Sequence, residues 1–419
     1  MEIKDLHQIF LQKKNISTDT RNIIPDSIFF ALKGENFDAN AFAKEAIEKG
    51  ASFVVMDNVA FWQDQSQYIL VENVLQTLQD LAFFHRKYLN LPIIGLTGSN
   101  GKTTTKELIH IVLSKRYETV ATKGNLNNHI GVPLTLLSMG DETAMGIVEM
   151  GANHFGEIKS LCQIASPDYG YITNFGKAHL EGFGSLEGVV KAKSELYDFL
   201  HAHEGIAFVN PKDSVQMSQT AHHKRILLKE VESVDDDSEF VVVRVDQTEI
   251  RTQLVGQYNV ANLAAAISIG LHFGVNISDI KTAIESFKPD NKRSQLIDKG
   301  YCKIVLDAYN ANPSSMQAAL DNFSKGDVSH KVVILGDMFE LGESSMSEHQ
   351  KLVDAVEQFS FHQIYLIGTR FNATQRKMAI SFNTFEEFKV QFKPSDFQNQ
   401  IVLIKGSRGM ALERVLELF

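Results

Sequence analysis

The sequence predicts an α/β protein of three domains: a small N-terminal α/β domain, a central parallel-sheet domain with a phosphate loop, and a C-terminal Rossmann-like domain. Three observations lead to this fold class. The chain of 419 residues is too long for one ordinary hydrophobic core. Apolar strand-like segments alternate with helical patterns, as in parallel sheets covered by helices. One of these strands runs through a glycine turn directly into a helix, in the segment IIGLTGSNGKTTTKELIHIVL.

The N-terminal domain is predicted to cover residues 1–91. Its predicted strands are SIFFALKG and ASFVVMD, with a helix over AFAKEAIEKG between them. A second helical stretch, VLQTLQDLAFFHRKYL, stops at Leu91-Pro92, because a proline cannot continue a helix. The boundary to the central domain is therefore placed after residue 91.

The central domain is predicted over residues 92–290 and the C-terminal domain over residues 291–419. The central strands IIGLTG, AMGIVEMG, YGYITNFG and GIAFVN alternate with helices near residues 102–115, 156–165 and 185–200. The acidic run of residues 235–237 is a predicted solvated loop. After Pro289, the predicted strands are KIVLDAY, KVVILGDM, QIYLIG and QIVLIKG, each followed by a helical pattern, as in open nucleotide-binding sheets.

Composition narrows the functional class. A formal net charge of -10 argues against nucleic-acid binding, which depends on basic patches that release counterions. The two cysteines, Cys162 and Cys302, fit a reducing compartment without a disulfide framework. The segment MEIKDLHQIF carries acidic residues where a signal peptide is basic, and no apolar run reaches 18 residues. We expect a cytoplasmic protein with no nucleic-acid partner and no membrane insertion.

The glycine turn after the first central strand is a predicted phosphate-binding loop. Gly98 and Gly101 let backbone N–H groups approach phosphate oxygens, and the following helix points its positive end at them. Lys102 adds a charge for the outer phosphates, and the Thr103 hydroxyl is suited to a magnesium ion. Because Leu96 replaces the first glycine of the eight-residue pattern, the loop has the shorter Gly-x-x-Gly-Lys-Thr form. We predict nucleotide binding here over a simple helix-capping turn.

Two further polar side chains follow central strands. Glu149 ends the strand in GIVEMGANH, and His179 lies just past the strand in YITNFGKAHLEGFG. Ligands of open α/β sheets bind outside the carboxyl ends of the strands, where the phosphate loop also lies, so both side chains can converge on a metal–nucleotide site. Taken alone, each residue is more often a packed histidine or a solvated carboxylate.

The order of several blocks resembles the Mur ligase family. These blocks are TGSNGKTTTKE, TKGNLNNHIGVPLTLL, EMGANHFGEI, NFGKAHLEGFGSLEGVVKAKSELY, GQYNVANLAAA, DAYNANPSSM and LGDMFELGE, and STDTRNIIPDSIFFALKGENFDANAF extends the resemblance into the first domain. The resemblance implies an ATP-dependent ligase of peptidoglycan precursor synthesis. Its implied substrates are UDP-N-acetylmuramoyl-tripeptide and D-alanyl-D-alanine, joined through an acyl phosphate, by a chain that is expected to be a monomer.

The resemblance also implies which residues hold ATP and Mg²⁺. The catalytic group would comprise Lys102, Glu149, His179 and Lys193. Lys193 would be carbamoylated by CO₂ and would share the metal with Thr103, Glu149 and His179; Lys191, two residues away, serves as a control. The implied ATP-binding residues are Gly98, Ser99, Asn100, Gly101, Lys102, Thr103, Thr104, Asn262, Arg293 and Asp307.

The remaining implied residues contact the other substrates. Two departures from the family pattern, Lys292 before Arg293 and Ala308 after Asp307, weaken the assignment of Arg293 more than that of Asp307. Asn262 and its neighbour Asn259 have the alternative role of capping a helix. The implied substrate-binding residues are Thr20, Arg21, Lys33, Gly34, Asn125, Asn127, Asn128, Asn310, Asn312, Lys405 and Arg408.

Other functions stay open beside this interpretation. Within the ligase class, the alternative is another Mur-type amino-acid ligase acting on the dipeptide precursor, and a folylpolyglutamate synthase would show different first-domain blocks. Outside it, the alternatives are a phosphate-loop kinase, a GTPase-like switch or a protein that binds ATP only as a structural ligand. A GTPase would need an Asn-Lys-x-Asp motif, which the sequence lacks. The third residue of the tripeptide, lysine or diaminopimelate, is not predicted.

Overall fold

The structure is a computed structural model that describes residues 1–63, 66–234, 238–289 and 293–419. The predicted boundary between residues 290 and 291, Lys292 and the acidic run of residues 235–237 lie outside the described residues. The predicted class is confirmed, because three mainly parallel sheets, each covered by helices, follow one another along the chain. Among the described residues, no helix is long and apolar enough to cross a membrane.

The first unit is a four-stranded parallel sheet in the order β1-β2-β5-β6. A short antiparallel hairpin, β3-β4, extends from it. Its strands are β1 (Ile16–Ser17), β2 (Ile28–Phe30), β3 (Lys33–Gly34), β4 (Phe37–Asp38), β5 (Phe53–Met56) and β6 (Tyr68–Leu70), and its helices are α1 (Ile3–Lys13), α2 (Ala43–Glu48) and α3 (Val74–Leu89).

The middle unit is built on a six-stranded parallel sheet in the order β12-β11-β10-β7-β9-β8. Its strands are β7 (Ile93–Thr97), β8 (Thr119–Ala121), β9 (Met145–Glu149), β10 (Tyr169–Ile172), β11 (Ile206–Val209) and β12 (Arg225–Leu227). The strands β13 (Glu232–Val234), β14 (Val242–Val245) and β15 (Thr248–Arg251) form a separate antiparallel sheet. The helices are α4 (Lys102–Leu113), α5 (Gly131–Leu137), α6 (Glu157–Ala165), α7 (Leu180–Phe183), α8 (Leu186–Ala202), α9 (Ser214–Gln219), α10 (Asn259–His272) and α11 (Ile277–Ser286).

The third unit has a six-stranded sheet in the order β16-β17-β21-β18-β19-β20, with only β16 antiparallel to its neighbour. Its strands are β16 (Gln295–Asp298), β17 (Lys303–Asp307), β18 (Lys331–Gly336), β19 (Gln363–Ile367), β20 (Ile380–Phe382) and β21 (Ile401–Lys405). Its helices are α12 (Pro313–Phe323), α13 (Ser345–Gln358), α14 (Thr369–Asn372) and α15 (Phe385–Gln391).

One element of the predicted fold is wrong. The strand QIVLIKG is followed by two 3₁₀ turns, Arg408–Met410 and Leu412–Glu417, rather than by an α-helix. Ala411 separates the turns in a left-handed conformation with φ of 47°, which an α-helix cannot include. The strands β8 and β12 were not predicted, because three residues are too few to show a strand period.

The central strand β7 determines where the site forms. All five of its residues are buried, and it pairs with β9 on one side and β10 on the other. The chain leaves β7 through the glycine turn and enters α4, whose apolar face packs against α10. The carboxyl ends of β7, β9 and β10 therefore meet at one edge, which is where open α/β sheets bind ligands.

The first unit is joined to the middle unit through α3, which packs against α5 and α6. Arg86 of α3 is 5% exposed. Its guanidinium donates to the Ala165 carbonyl at 3.2 Å, the Ser166 carbonyl at 3.1 Å and Asp168 at 2.8 Å. Asp168 also accepts the backbone N–H of Ile93 at 2.8 Å, so this cluster fixes the start of β7.

We predict that Arg86→Met lowers the stability of the middle unit by about 2 kcal/mol, because a buried carbonyl, a partly buried carbonyl and a carboxylate lose their donor. The measurement is the urea midpoint of the first unfolding transition, followed by intrinsic fluorescence. Lys87→Met is the matched control, since Lys87 reaches Ser166 from an exposed position. Equal midpoints for the two variants would show that the Arg86 cluster does not stabilise this junction.

Candidate functional site

The phosphate-binding loop has the backbone geometry that its two glycines allow. Gly98 has φ of 141° and Gly101 has φ of 79°, both in the region that residues with a side chain rarely adopt. A Cβ atom at Gly98 would lie 1.9 Å from Thr173 Oγ1, and one at Gly101 would lie 2.7 Å from Asn262 Oδ1. Conformation and space therefore both require glycine at these positions.

The loop after β10 holds the phosphate loop in place. Thr173 Oγ1 donates to the Asn100 carbonyl at 2.6 Å, and the Asn174 side chain bonds both the N–H and the carbonyl of Asn100. Ser99 Oγ donates to the Gly176 carbonyl at 2.9 Å. Thr173 and Asn174 were not among the predicted site residues. Their position at the end of the predicted strand YITNFG could have indicated them, because ligands bind at the carboxyl ends of the strands.

Lys102 begins α4 and turns back over the loop. Its Nζ donates to the Gly98 carbonyl at 2.7 Å and to the Ser99 carbonyl at 3.3 Å. Burial lowers the pKa of Lys102 to about 8, against the opposing effect of the Glu149 carboxylate, and Arg293 lowers it further. Phosphate oxygens are better acceptors for a buried ammonium than two carbonyls, so the arrangement suits an incoming polyanion.

Thr103 and Glu149 form the oxygen-rich centre of the site. Thr103 Oγ1 donates to Glu149 Oε2 at 3.0 Å, and Asn127 Nδ2 donates to Glu149 Oε1 at 2.8 Å. Glu149 is 1% exposed. A hydroxyl and a carboxylate oxygen are ligands that Mg²⁺ accepts, with phosphate oxygens and water completing its shell. The residues present thus fit the predicted magnesium ion, and the structure places Asn127 as a partner of Glu149.

His179 lies farther out, at the junction with the third unit. It is the N-cap residue of α7, with φ of 52°. Its Nδ1 lies 2.5 Å from Glu340 Oε2, which was not among the predicted site residues. Among the described residues, no group of three His, Cys, Asp or Glu side chains converges in a way that could hold a metal by itself.

Lys193 and Lys191 differ sharply although they share helix α8. Lys193 is 0% exposed, its Nζ donates to the Ala152 carbonyl at 3.1 Å, and it lies 5.3 Å from the Phe183 ring centre. Burial, followed by the charge of Lys102, holds the pKa of Lys193 well below its usual value. Lys191 is exposed beside Phe155. A buried lysine of lowered pKa is a reactive amine, whereas Lys191 has the setting of an ordinary surface charge.

The third unit contributes a second group of charged side chains. Lys405 Nζ contacts Asp307 Oδ2 at 2.6 Å and donates to the Asn310 carbonyl at 3.4 Å. The guanidinium of Arg293 lies 3.8 Å from the Tyr309 ring centre. Arg408 Nη1 donates to the Tyr309 hydroxyl at 3.3 Å. Lys405 thus supports Asp307, and Tyr309, which sequence reasoning missed, organises the two arginines.

The third unit touches the phosphate loop directly. Asn312 caps helix α12 through the Ser315 N–H, and its Nδ2 donates to Asn100 Oδ1 at 2.7 Å. Nearby, the Lys177 N–H donates to Ser314 Oγ at 2.8 Å. The side chain of Asn312 is therefore engaged in joining the two units, whereas the sequence predicted a substrate contact.

Asn259 and Asn262 lie inside helix α10, and neither is its N-cap residue, which is Tyr258. Asn262 Nδ2 donates to Asn259 Oδ1 at 2.9 Å, and Asn262 Oδ1 accepts from Thr105 at 3.0 Å. Asn262 therefore packs against helix α4 and the Gly101 turn, and it also lines the cavity.

One cavity of about 1120 Å³ collects most of the predicted residues. This volume exceeds that of a usual single-ligand pocket, so it has room for a nucleotide and a second substrate. Three predicted residues of the middle unit are not part of its lining: Gly98, Thr103 and Lys193. The predicted residues that line it are Ser99, Asn100, Gly101, Lys102, Thr104, Asn125, Asn127, Asn128, Glu149, His179, Asn262, Arg293, Asp307, Asn310, Asn312, Lys405 and Arg408.

The predicted residues of the first unit lie outside this lining. Arg21 pairs with Asp19 at 2.6 Å, and Lys33 pairs with Asp57 at 2.7 Å. The Thr20 carbonyl accepts from Lys49, and Gly34 lies in the β3-β4 hairpin. Since these groups follow β1, β2 and β5, they gather at the carboxyl edge of the first sheet, apart from the phosphate loop.

Comparison with known proteins assigns this architecture to a family. Residues 96–270 match the Mur ligase middle domain, and residues 292–408 match the domain described as Mur ligase, glutamate ligase domain. The chain is 33% identical, over 96% of its length and 92% of the relative's, to the Bacillus subtilis protein named UDP-N-acetylmuramoyl-tripeptide--D-alanyl-D-alanine ligase.

Solved structures agree with the sequence relatives. A crystal structure of MurF from Acinetobacter baumannii superposes with a TM-score of 0.84 at 31% identity, covering 96% of this chain and 92% of that one. MurF ligase from Thermotoga maritima in complex with ADP gives a TM-score of 0.83 at 26% identity, covering 98% of this chain and 97% of that one. The chain belongs to the Mur ligase family.

Proposed function

We propose that this chain is an ATP-dependent ligase that joins D-alanyl-D-alanine to UDP-N-acetylmuramoyl-tripeptide in peptidoglycan precursor synthesis. The observation that carries the proposal is the composite cavity. In it, the phosphate loop and Glu149 of the middle unit face Asp307 and Lys405 of the third unit. A site for one nucleotide alone would not need so large a cavity between two units, whereas a ligase must bring an acid, an amine and ATP together.

The carboxylate of the tripeptide is too poor an electrophile to react with an amine. One of its oxygens attacks the γ-phosphorus of ATP, the bond to the β-phosphate oxygen breaks, and an acyl phosphate and ADP result. The amine nitrogen of D-alanyl-D-alanine then attacks the acyl carbon, phosphate leaves with the bonding electron pair, and the amine proton is lost. Lys102 and the loop N–H groups stabilise the charge on the phosphates during the first step.

Thr103 and Glu149 would hold Mg²⁺, which neutralises phosphate charge when bound. We assign Lys193 as a carbamate. Its uncharged Nζ attacks the carbon of CO₂, an N–C bond forms, one C=O electron pair moves to oxygen, and an N–H proton is lost. The support is its burial and its lowered pKa, which favour the free amine, whereas an ammonium at that depth would oppose a metal ion.

The proposed reaction indicates the cellular compartment, and the cavity indicates the oligomeric state. We place the protein in the cytoplasm, where ATP is available, and the buried cysteines Cys162 and Cys302 are compatible with that compartment. We expect a monomer, since the two units that line the cavity belong to one chain.

We predict that Lys102→Ala lowers ATP-dependent turnover at least about 1000-fold, because the outer phosphates lose their buried cation. The measurement is ADP formed with ATP, Mg²⁺, D-alanyl-D-alanine and each candidate tripeptide, with the ligated product identified by mass. The wild-type chain should form ADP continuously, over many turnovers, only when both cosubstrates are present. Continuous ADP formation without the ligated product, or an active Lys102→Ala variant, would contradict the proposed function.

For the carbamate, Lys193→Ala is expected to abolish turnover while Lys191→Ala retains most of it. The direct measurement is ¹³C NMR after exchange with ¹³C-labelled bicarbonate, in which a carbamate resonance should appear in the wild type and in Lys191→Ala. A wild-type spectrum without that resonance, or equal mild losses of activity in both variants, would refute the assignment.

The lowered pKa of Lys102 predicts a pH dependence of nucleotide affinity. The ammonium is present below pH about 8 and is lost as the pH rises through that value. ADP affinity should therefore be constant below it and fall by roughly tenfold per pH unit toward about pH 9.5. Calorimetric titration with ADP measures this, with Lys102→Arg as the variant that stays charged and flat. An equally flat wild-type profile would contradict the prediction.

A further inference from the structure

We propose that Glu340 is a positioning residue for His179, which it holds by Nδ1 so that Nε2 is the ring nitrogen presented to the metal ion of the site. The inference rests on the proposed function, because that function supplies the metal. It adds a residue of the third unit to a metal site whose other predicted members all belong to the middle unit.

The contact spans the junction between two units. Glu340 Oε2 lies 2.5 Å from His179 Nδ1, a buried nitrogen whose N–H is not aligned in a standard hydrogen bond, so the contact is an electrostatic one at close range. A backbone hydrogen bond accompanies it, in which the Glu181 N–H donates to the Glu340 carbonyl at 3.1 Å. Gly342 packs against Glu181 beside it. The side chain and the carbonyl of Glu340 therefore both contact the start of helix α7.

Both residues of the pair have left-handed backbones, with φ of 52° at His179 and 61° at Glu340. Residues with a side chain adopt this conformation at a cost, and it persists where the surroundings over-determine it. With these backbone conformations, the side chains of His179 and Glu340 point toward each other. The backbone conformation thus supports the interpretation that this contact is a built feature of the fold.

The loop that carries Glu340 is fixed from below. The Met338 N–H donates to His349 Nε2 at 3.0 Å, and the Phe339 N–H donates to Ser407 Oγ at 2.9 Å. Asp337, at the root of the loop, accepts the N–H groups of Arg370 and Phe371. These hydrogen bonds fix the loop that places Glu340 beside His179.

The chemistry of the pair determines the role of each nitrogen. A carboxylate accepts and cannot donate, so the proton of a neutral His179 resides on Nδ1 and the lone pair on Nε2. Carboxylates behind histidine ligands commonly fix the ring and strengthen it as a ligand in this way. Because Glu340 belongs to the third unit, His179 is fully oriented only when that unit is docked on the middle unit.

The test uses the full chain with Mn²⁺ and saturating ADP. Pulsed electron paramagnetic resonance reports whether a histidine nitrogen is coupled to Mn²⁺, and a continuous-wave titration gives the Mn²⁺ affinity. We expect nitrogen coupling in the wild type and its absence in His179→Ala. Glu340→Ala should lose most of the coupling and bind Mn²⁺ about tenfold more weakly. Glu340→Gln, which keeps shape and an acceptor oxygen, should lie between, and Glu343→Ala, an exposed carboxylate of the same loop, should match the wild type.

Three results would overturn the proposal: a Glu340→Ala variant with wild-type coupling and affinity, a weakened affinity with the nitrogen coupling unchanged, or a wild type with no histidine coupling. In the last case His179 is not a ligand. Wild-type ADP formation with both cosubstrates, measured separately, then decides whether the ligase function itself still stands.

Discussion

The site depends on one buried carboxylate. Glu149 is almost fully enclosed, and its described partners are the neutral groups of Thr103 and Asn127, with the Lys102 ammonium acting on it from a distance. A carboxylate in such an enclosed place, with neutral partners, is well suited to bind a cation. The glycine turn, the loop after β10 and helix α10 line the same cavity as this carboxylate.

The three units are joined in different ways. One apolar core cluster contains residues of all three units, and the buried guanidinium of Arg86 adds a polar link between the first unit and the middle unit. Around the cavity, the third unit meets the middle unit through polar contacts, among them Asn312 with Asn100 and Lys177 with Ser314 and Glu348. Hydrogen bonds of this kind contribute about 1 kcal/mol each, and the apolar residues that the third unit adds to the shared core stabilise its packing further.

Sequence reasoning reached the features that are set locally. The phosphate loop was predictable because glycine, lysine and threonine act there within a few residues of one another. Glu149 and His179 were placed at strand ends, and the parallel order of the sheet supplies their common edge. The partners of these side chains were not predictable, since Glu340 and Tyr309 come from elements distant in the chain. Asn312 and Lys405 were assigned to substrate because their pairing with Asn100 and Asp307 depends on packing that no local pattern encodes.

The position of Asn100 has a consequence for inhibition. Asn100 is hydrogen-bonded to the loop after β10 on one side and to Asn312 on the other. It therefore links the middle unit to the third unit. A small molecule inserted between Asn100 and helix α12 would separate the third unit from the middle unit and would also obstruct the phosphate site, because Asn100 belongs to the phosphate loop.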